Sequence, residues 1–104
     1  MSTARDVALE VLGRVEQDRA YAAAALTSAL AGVVDPREAA FATELVMGVL
    51  RRQPLLDSLL HSTSDRGLKK IHPKLRRILR IGTYQLIFLE RIPNHAVVSE
   101  AVEQ

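Results

Sequence analysis

The chain has 104 residues, of which 48% are hydrophobic and 25% charged, and its formal net charge is +2. This composition is ordinary for one globular domain and excludes a disordered chain. Cysteine is absent, which excludes a disulfide scaffold, a thiolate metal site and a cysteine nucleophile. Since no export signal and no apolar run of roughly 18 residues is present, we expect a cytoplasmic protein without a membrane segment.

Alanine and leucine dominate the apolar residues, which predicts an all-α fold, a compact bundle of about six helices. The first helix is predicted from about Ala4 to Gln17, because apolar residues recur there at intervals of three and four, and Ser2 or Thr3 can cap it. A second helix is predicted from about Tyr21 to Ala31, before Gly32.

The third helix has the clearest start in the sequence. Asp35 suits the N-cap, Pro36 the first helical position and Glu38 the capping-box position. Gly48 lies within the apolar face of this helix, although glycine inside a helix lowers its stability. A close helix crossing would explain the glycine.

Pro54 is predicted to interrupt the third helix, because the residue before a proline is biased away from helical geometry. A short fourth helix would follow through residues 55–60, and a loop through residues 61–67. A fifth helix from Pro73 to about Glu90 is expected to be central to the core. Its predicted core stripe consists of Leu75, Leu79, Gly82, Leu86 and Leu89, widened by Ile78, Ile81 and Phe88.

The last predicted helix begins at Asn94 as N-cap and remains amphipathic to Gln104 without a stop signal. We therefore interpret residues 1–104 as one domain and as a fragment of a longer protein.

Positive charge is concentrated in the second half of the chain. Residues 1–65 hold six basic and nine acidic side chains, a net charge of −3, whereas residues 66–104 hold eight basic and three acidic, a net charge of +5. Between Arg66 and Arg80 there is no acidic residue. Such a stretch is typical of a surface that binds an anionic partner, but a solvated helix face without a partner can have the same composition.

Catalytic chemistry is not indicated. His61, His72 and His95 lack the spacing of metal ligands, the glycines are isolated, and no serine has a nucleophile-elbow context. The carboxylates are expected on solvent-facing helix surfaces. We therefore predict no catalytic residue, no metal site and no cofactor in this chain.

Two blocks of sequence, residues 37–51 and 79–103, resemble the NusB-like family. The first contains Gly-Val-Leu-Arg at residues 48–51, and the second contains Leu-Arg-Ile-Gly-Thr-Tyr-Gln-Leu at residues 79–86. This family is a helical RNA-binding fold, found as the antitermination factor NusB and as the N-terminal domain of the RsmB (Fmu/Sun) 16S ribosomal RNA cytosine-C5 methyltransferases. The two patterns, with the run of residues 91–97, favour the methyltransferase branch.

The resemblance implies a non-catalytic RNA-binding domain that helps a linked methyltransferase engage 16S ribosomal RNA. S-adenosylmethionine and the catalytic cysteine would then belong to a catalytic domain outside this chain. Two alternatives stay open: a free-standing NusB-type antitermination factor, and a protein-interaction module that docks on the catalytic domain or on a ribosomal or transcription-complex protein.

Phosphate contacts to RNA are predicted for nine basic residues. Six come from the acid-free stretch and three from earlier helices: Lys69, Lys70, Lys74, Arg76, Arg77 and Arg80, with Arg5, Arg51 and Arg52. Arg5, Arg14, Arg51 and Arg52 are weaker candidates, because each could equally be a solubilising or intrahelical ion-pair residue. Tyr84 could stack on a base, although a place in the core is the stronger expectation.

Overall fold

A computed structural model of the chain describes residues 3–33, 35–63 and 70–89. Within these ranges there are four α-helices, the last of which continues as a short π-helix. They are α1 (Ala4–Asp18), α2 (Ala22–Leu30), α3 (Pro36–Thr63) and α4 (Pro73–Tyr84), followed by the π-helix Gln85–Leu89. The all-α class is confirmed, with four helices described rather than about six. The predicted helix from Asn94 lies outside the described residues.

The start of α1 is fixed by a capping box. The Thr3 hydroxyl accepts a hydrogen bond from the backbone N–H of Asp6, and the Asp6 carboxylate accepts one from the backbone N–H of Thr3. Both distances are 3.2 Å. These bonds, chiefly the one to the Thr3 backbone, lower the pKa of Asp6. The predicted beginning of the first helix is therefore confirmed, with Thr3 as the cap.

The core forms where α1, α3 and α4 meet, with Ala25 and Leu26 from α2 closing one side. Its largest fully buried side chains come from α1 and α3: Val11, Leu45, Val46, Val49 and Leu56. Each such side chain contributes about 2 kcal/mol by leaving water. No helix of the described residues is long and apolar enough to cross a membrane.

The start of α3 lies beside the start of α1. Asp35 accepts a hydrogen bond from the backbone N–H of Arg37 at 2.9 Å, as expected of an N-cap. The Glu38 carboxylate, which was expected in a capping box, accepts a hydrogen bond from the backbone N–H of Ala4 at 2.8 Å. Glu38 thus satisfies a free donor of another helix and links the two helix starts.

The predicted break at Pro54 is wrong, because α3 runs without interruption from Pro36 to Thr63. A proline inside a helix costs about 3 kcal/mol through its lost donor and its clash with the preceding turn. Pro54 itself is exposed, whereas Leu56 just beyond it is completely buried and Asp57 forms an ion pair with α4. These contacts hold the second half of α3 against the core and offset the cost.

The predicted orientation of α4 is also wrong in part. Leu75, Ile78 and Leu86, expected in the core, are 46%, 43% and 64% exposed. The buried face instead consists of Arg77, Arg80, Ile81 and Tyr84. The helix therefore turns two arginines toward the protein and several apolar side chains away from it.

Tyr84 lies directly over Gly48 of α3. A Cβ atom at Gly48 would overlap the Tyr84 ring, so only glycine leaves room for this contact. The Tyr84 hydroxyl donates a hydrogen bond to the Glu44 carboxylate at 2.7 Å. The close helix crossing predicted from Gly48 is confirmed, as is the place of Tyr84 in the core.

Candidate nucleic-acid interface

Three arginines of α4 share two carboxylates from other helices. Arg80 donates two hydrogen bonds to Asp57, at 2.6 and 3.0 Å, and one to Glu16 at 3.1 Å. Arg77 and Arg76 also reach Glu16, at 3.3 and 3.5 Å. We call these five residues the arginine cluster, and it joins α1, α3 and α4.

Two arginines of the arginine cluster are buried, whereas Glu16 is exposed. Arg77 and Arg80 are only 8% and 7% exposed. Burial by itself would lower the pKa of Arg80, but the hydrogen bonds and charges of Asp57 and Glu16 outweigh it and raise the pKa. Because three guanidinium groups face two carboxylates, the cluster keeps one uncompensated positive charge.

A pocket of about 240 Å³ lies beside the arginine cluster, between α1, α3 and α4. Its apolar lining consists of Leu12, Val15, Val49 and Leu50, and its polar lining of Glu16, Gln53, Arg77 and Arg80. We call it the Gln53 pocket. Within the described residues the Gln53 side chain has no hydrogen-bond partner, so its amide donor and acceptor are both available.

A second cavity, of about 390 Å³, lies between α1 and the first turns of α4. Lys74, Arg77 and Arg14 contribute positive charge to its lining, and Asp6, Glu10 and Asp18 contribute negative charge. Arg14 forms an intrahelical ion pair with Glu10, at 3.4 Å, which is one of the two roles expected of it. The mixed charge makes this cavity a poor site for an anion.

The structure places the nine predicted RNA contacts in different environments. Arg77 and Arg80 are buried in the arginine cluster and Arg76 is half-buried there. Lys70 and Lys74 are exposed at the start of α4. Lys69 lies outside the described residues.

Arg5, Arg51 and Arg52 are exposed and lie near the other end of α4. Arg5 donates a hydrogen bond to the side chain of Gln85 at 3.0 Å. The Arg52 guanidinium lies 5.0 Å from the centroid of the Phe88 ring, a cation–π distance. Folding therefore brings these three together around the π-helix, although they come from two other helices.

Sequence reasoning missed Glu16, Gln53 and Asp57. The two carboxylates were expected to face solvent; Glu16 is exposed and Asp57 is half-buried, and both form ion pairs with arginines of α4. No local signal marks them, since Glu16 lies 61 residues from Arg77 and Asp57 lies 23 from Arg80. The described residues contain no group of three histidine or carboxylate side chains able to hold a metal ion.

Comparison with known proteins defines the class to which this helical domain belongs. The sequence profile of the NusB family matches residues 2–104. The chain belongs to the NusB family. No solved structure matches it significantly.

The curated relatives carry two kinds of name. "Probable ribosomal RNA small subunit methyltransferase B" of Synechocystis sp. is 38% identical over 104 residues, covering 99% of this chain and 23% of that protein. The protein of the same name in Bacillus subtilis is 35% identical over 103 residues, covering 98% of this chain and 23% of that protein. "Transcription antitermination protein NusB" of Nitrobacter hamburgensis is 44% identical over 70 residues, or 65% of this chain and 44% of that protein. The chain thus spans about a quarter of the methyltransferase relatives.

Proposed function

We propose that this chain is the RNA-binding N-terminal domain of a cytoplasmic ribosomal RNA cytosine-C5 methyltransferase. The observation that carries the proposal is the match to relatives named as ribosomal RNA methyltransferases over 98 to 99% of the chain, against 65% for the Nitrobacter NusB protein. The domain would position 16S ribosomal RNA, and S-adenosylmethionine and the catalytic cysteine would belong to the linked catalytic domain.

The charge distribution supports phosphate contact by the exposed cations. Lys70 and Lys74 at one end of α4, and Arg5, Arg51 and Arg52 near the other, can each lie against a phosphate without breaking a buried ion pair. The 12 residues of α4 span about 18 Å at 1.5 Å per residue, so cations at its two ends can contact different phosphates of one strand. Arg77 and Arg80 support the same surface indirectly, through the extra positive charge of the arginine cluster.

The test measures RNA affinity by fluorescence anisotropy, with a double variant Lys70→Gln and Lys74→Gln and a control variant Arg37→Gln. Arg37 is an exposed arginine at the start of α3 and is not one of the cations proposed to contact phosphate. We expect the double variant to bind several-fold more weakly to every RNA sequence tested, and the control to bind as the unchanged chain does. Equal weakening by both would show that net charge alone matters and would refute the proposed surface.

In the full-length protein the same double variant should raise the KM for ribosomal RNA and leave kcat unchanged, because the two lysines would contribute only to binding. A change confined to kcat would contradict a role in RNA positioning.

One observation favours a docking role as a second candidate. Leu75 and Ile78 of α4 and Leu86 of the following π-helix form an exposed apolar face opposite the buried face, and apolar faces of this kind commonly mark interfaces. The relatives are about four times as long as this chain, so further residues of the same polypeptide are the proposed occupant. Slower amide hydrogen exchange of α4 in the full-length protein than in the 104-residue chain would support docking, and equal exchange would contradict it.

A further inference from the structure

The size of the Gln53 pocket limits what it can hold. Its volume of about 240 Å³ is below the roughly 300 to 1,000 Å³ of sites for drug-sized ligands. A single flat ring system is the class of group that matches this volume. A folded peptide segment or a whole cofactor would not fit.

The apolar lining argues against a phosphate group inside the pocket. Leu12, Val15, Val49 and Leu50 would strip water from the anion without replacing its hydrogen bonds. The guanidinium groups of Arg77 and Arg80 already hold the carboxylates of Glu16 and Asp57. An uncharged group whose faces are apolar and whose edge is polar suits this lining better, and a nucleobase has this character.

The polar lining offers both acceptors and donors. Glu16 accepts, Arg77 and Arg80 donate, and the unpartnered Gln53 amide can do either. A base that carries an amino group and a carbonyl oxygen can use both kinds of partner at once. Cytosine and guanine have both groups, whereas uracil lacks the amino group and adenine lacks the carbonyl.

The guanidinium groups of Arg77 and Arg80 are held in place before any ligand arrives. Their carboxylate partners fix them at 2.6 to 3.3 Å, so little side-chain entropy is lost when they bind a further group. We propose that the Gln53 pocket receives one unstacked cytosine or guanine from single-stranded RNA, as RNA-binding proteins commonly take up splayed bases. This inference rests on the proposed RNA-binding function and names the chemical group that the domain selects.

The test compares a short oligouridine with the same oligomer carrying a single central cytosine or guanine, in anisotropy titrations at one salt concentration. A well-made set of hydrogen bonds to one base gives about 1 to 3 kcal/mol of discrimination, so we expect at least one substituted oligomer to bind about tenfold more tightly than oligouridine. Equal affinity for all three would overturn the proposal.

Two variants test whether the preference for cytosine or guanine arises in the Gln53 pocket. Gln53→Leu removes the amide at nearly constant volume, and Val15→Phe fills the pocket. Either should reduce the preference for the substituted oligomer over oligouridine to within about twofold. The control Gln17→Leu changes an exposed glutamine outside the pocket and should keep the full preference. Should Val15→Phe fail to fold, Gln53→Leu alone decides.

The outcomes separate this inference from the proposed function. If the chain binds RNA in a salt-dependent way but Gln53→Leu keeps the full base preference, the pocket does not select the base and RNA binding stands. If no RNA binds at low salt, the proposed function fails and the base pocket fails with it.

Discussion

Arg80 of α4 donates two parallel hydrogen bonds to the carboxylate of Asp57 on α3, through Nε at 2.6 Å and a terminal nitrogen at 3.0 Å. This paired geometry is the strongest form of the arginine–carboxylate interaction. It turns a residue of the most basic stretch in the sequence toward the interior. The positive charge of α4 thus serves first to hold three helices together.

Asp57→Ala should lower the free energy of unfolding by about 2 kcal/mol, because it leaves the buried Arg80 guanidinium with Glu16 alone. Urea denaturation measures the change. The control Glu10→Ala breaks the exposed Glu10–Arg14 pair and should cost less than about 0.5 kcal/mol. Equal losses in the two variants would show that the arginine cluster adds nothing beyond surface charge.

Gly48→Ala should destabilise the protein by about 2 kcal/mol, since the new methyl group overlaps the Tyr84 ring and forces α3 and α4 apart. Gly82→Ala is the matched control. Nothing lies within 4 Å of a Cβ at Gly82, so this change should raise stability by up to about 1 kcal/mol through helix propensity. The account of the crossing would be wrong if thermal denaturation showed both alanines to be stabilising.

Pro54→Ala should raise the free energy of unfolding by about 2 kcal/mol, because alanine restores the missing backbone donor within α3 at an exposed position. Pro36→Ala provides the comparison. Pro36 begins α3, where a proline suits the first turn, so its replacement should leave stability unchanged or slightly lower. A loss of stability in Pro54→Ala would mean that the proline shapes the helix in a way the packing needs.

Burial, together with the hydrogen bond to Glu44, raises the pKa of Tyr84 to about 12. Since the folded value lies above the ordinary 10, the folded state holds this proton more tightly. Its contribution to stability is complete below pH 10 and is lost as the pH rises from about 10 to 12.

The variant Tyr21→Phe leaves Tyr84 as the only tyrosine, so phenolate absorbance follows that residue alone. Its midpoint should lie near pH 12 in the folded chain and near 10 in concentrated urea. A midpoint near 10 in both conditions would contradict the burial of the hydroxyl.

Local signals predicted the beginnings of α1 and α3 and the role of Gly48, because caps and helix crossings depend on residues close in sequence or on a missing side chain. The continuation of α3 through Pro54 could not be predicted, since it depends on Leu56 and Asp57 finding partners on other helices. Local preference favoured a break, and tertiary contacts outweighed it.

The orientation of α4 could not be predicted for a related reason. This helix has apolar side chains on two sides, and periodicity alone does not say which side faces the core. Arginines usually face solvent, which favoured the stripe of Leu75 and Leu86 as the buried face. Glu16 and Asp57 reverse that preference by supplying carboxylate partners for the arginines. They lie 64 and 23 residues from Arg80 in the sequence, so no local pattern reveals them.

The most direct test of RNA binding is the salt dependence of affinity for single-stranded ribosomal RNA. Each phosphate contact to a single strand contributes a slope of about −0.7 in a plot of log K against log salt concentration. With three to five exposed cations engaged, we predict a slope between roughly −2 and −4 for the unchanged chain. The Lys70→Gln and Lys74→Gln double variant should be shallower by about 1.4. An affinity that does not change with salt would contradict the claim that this domain binds RNA through phosphate contacts.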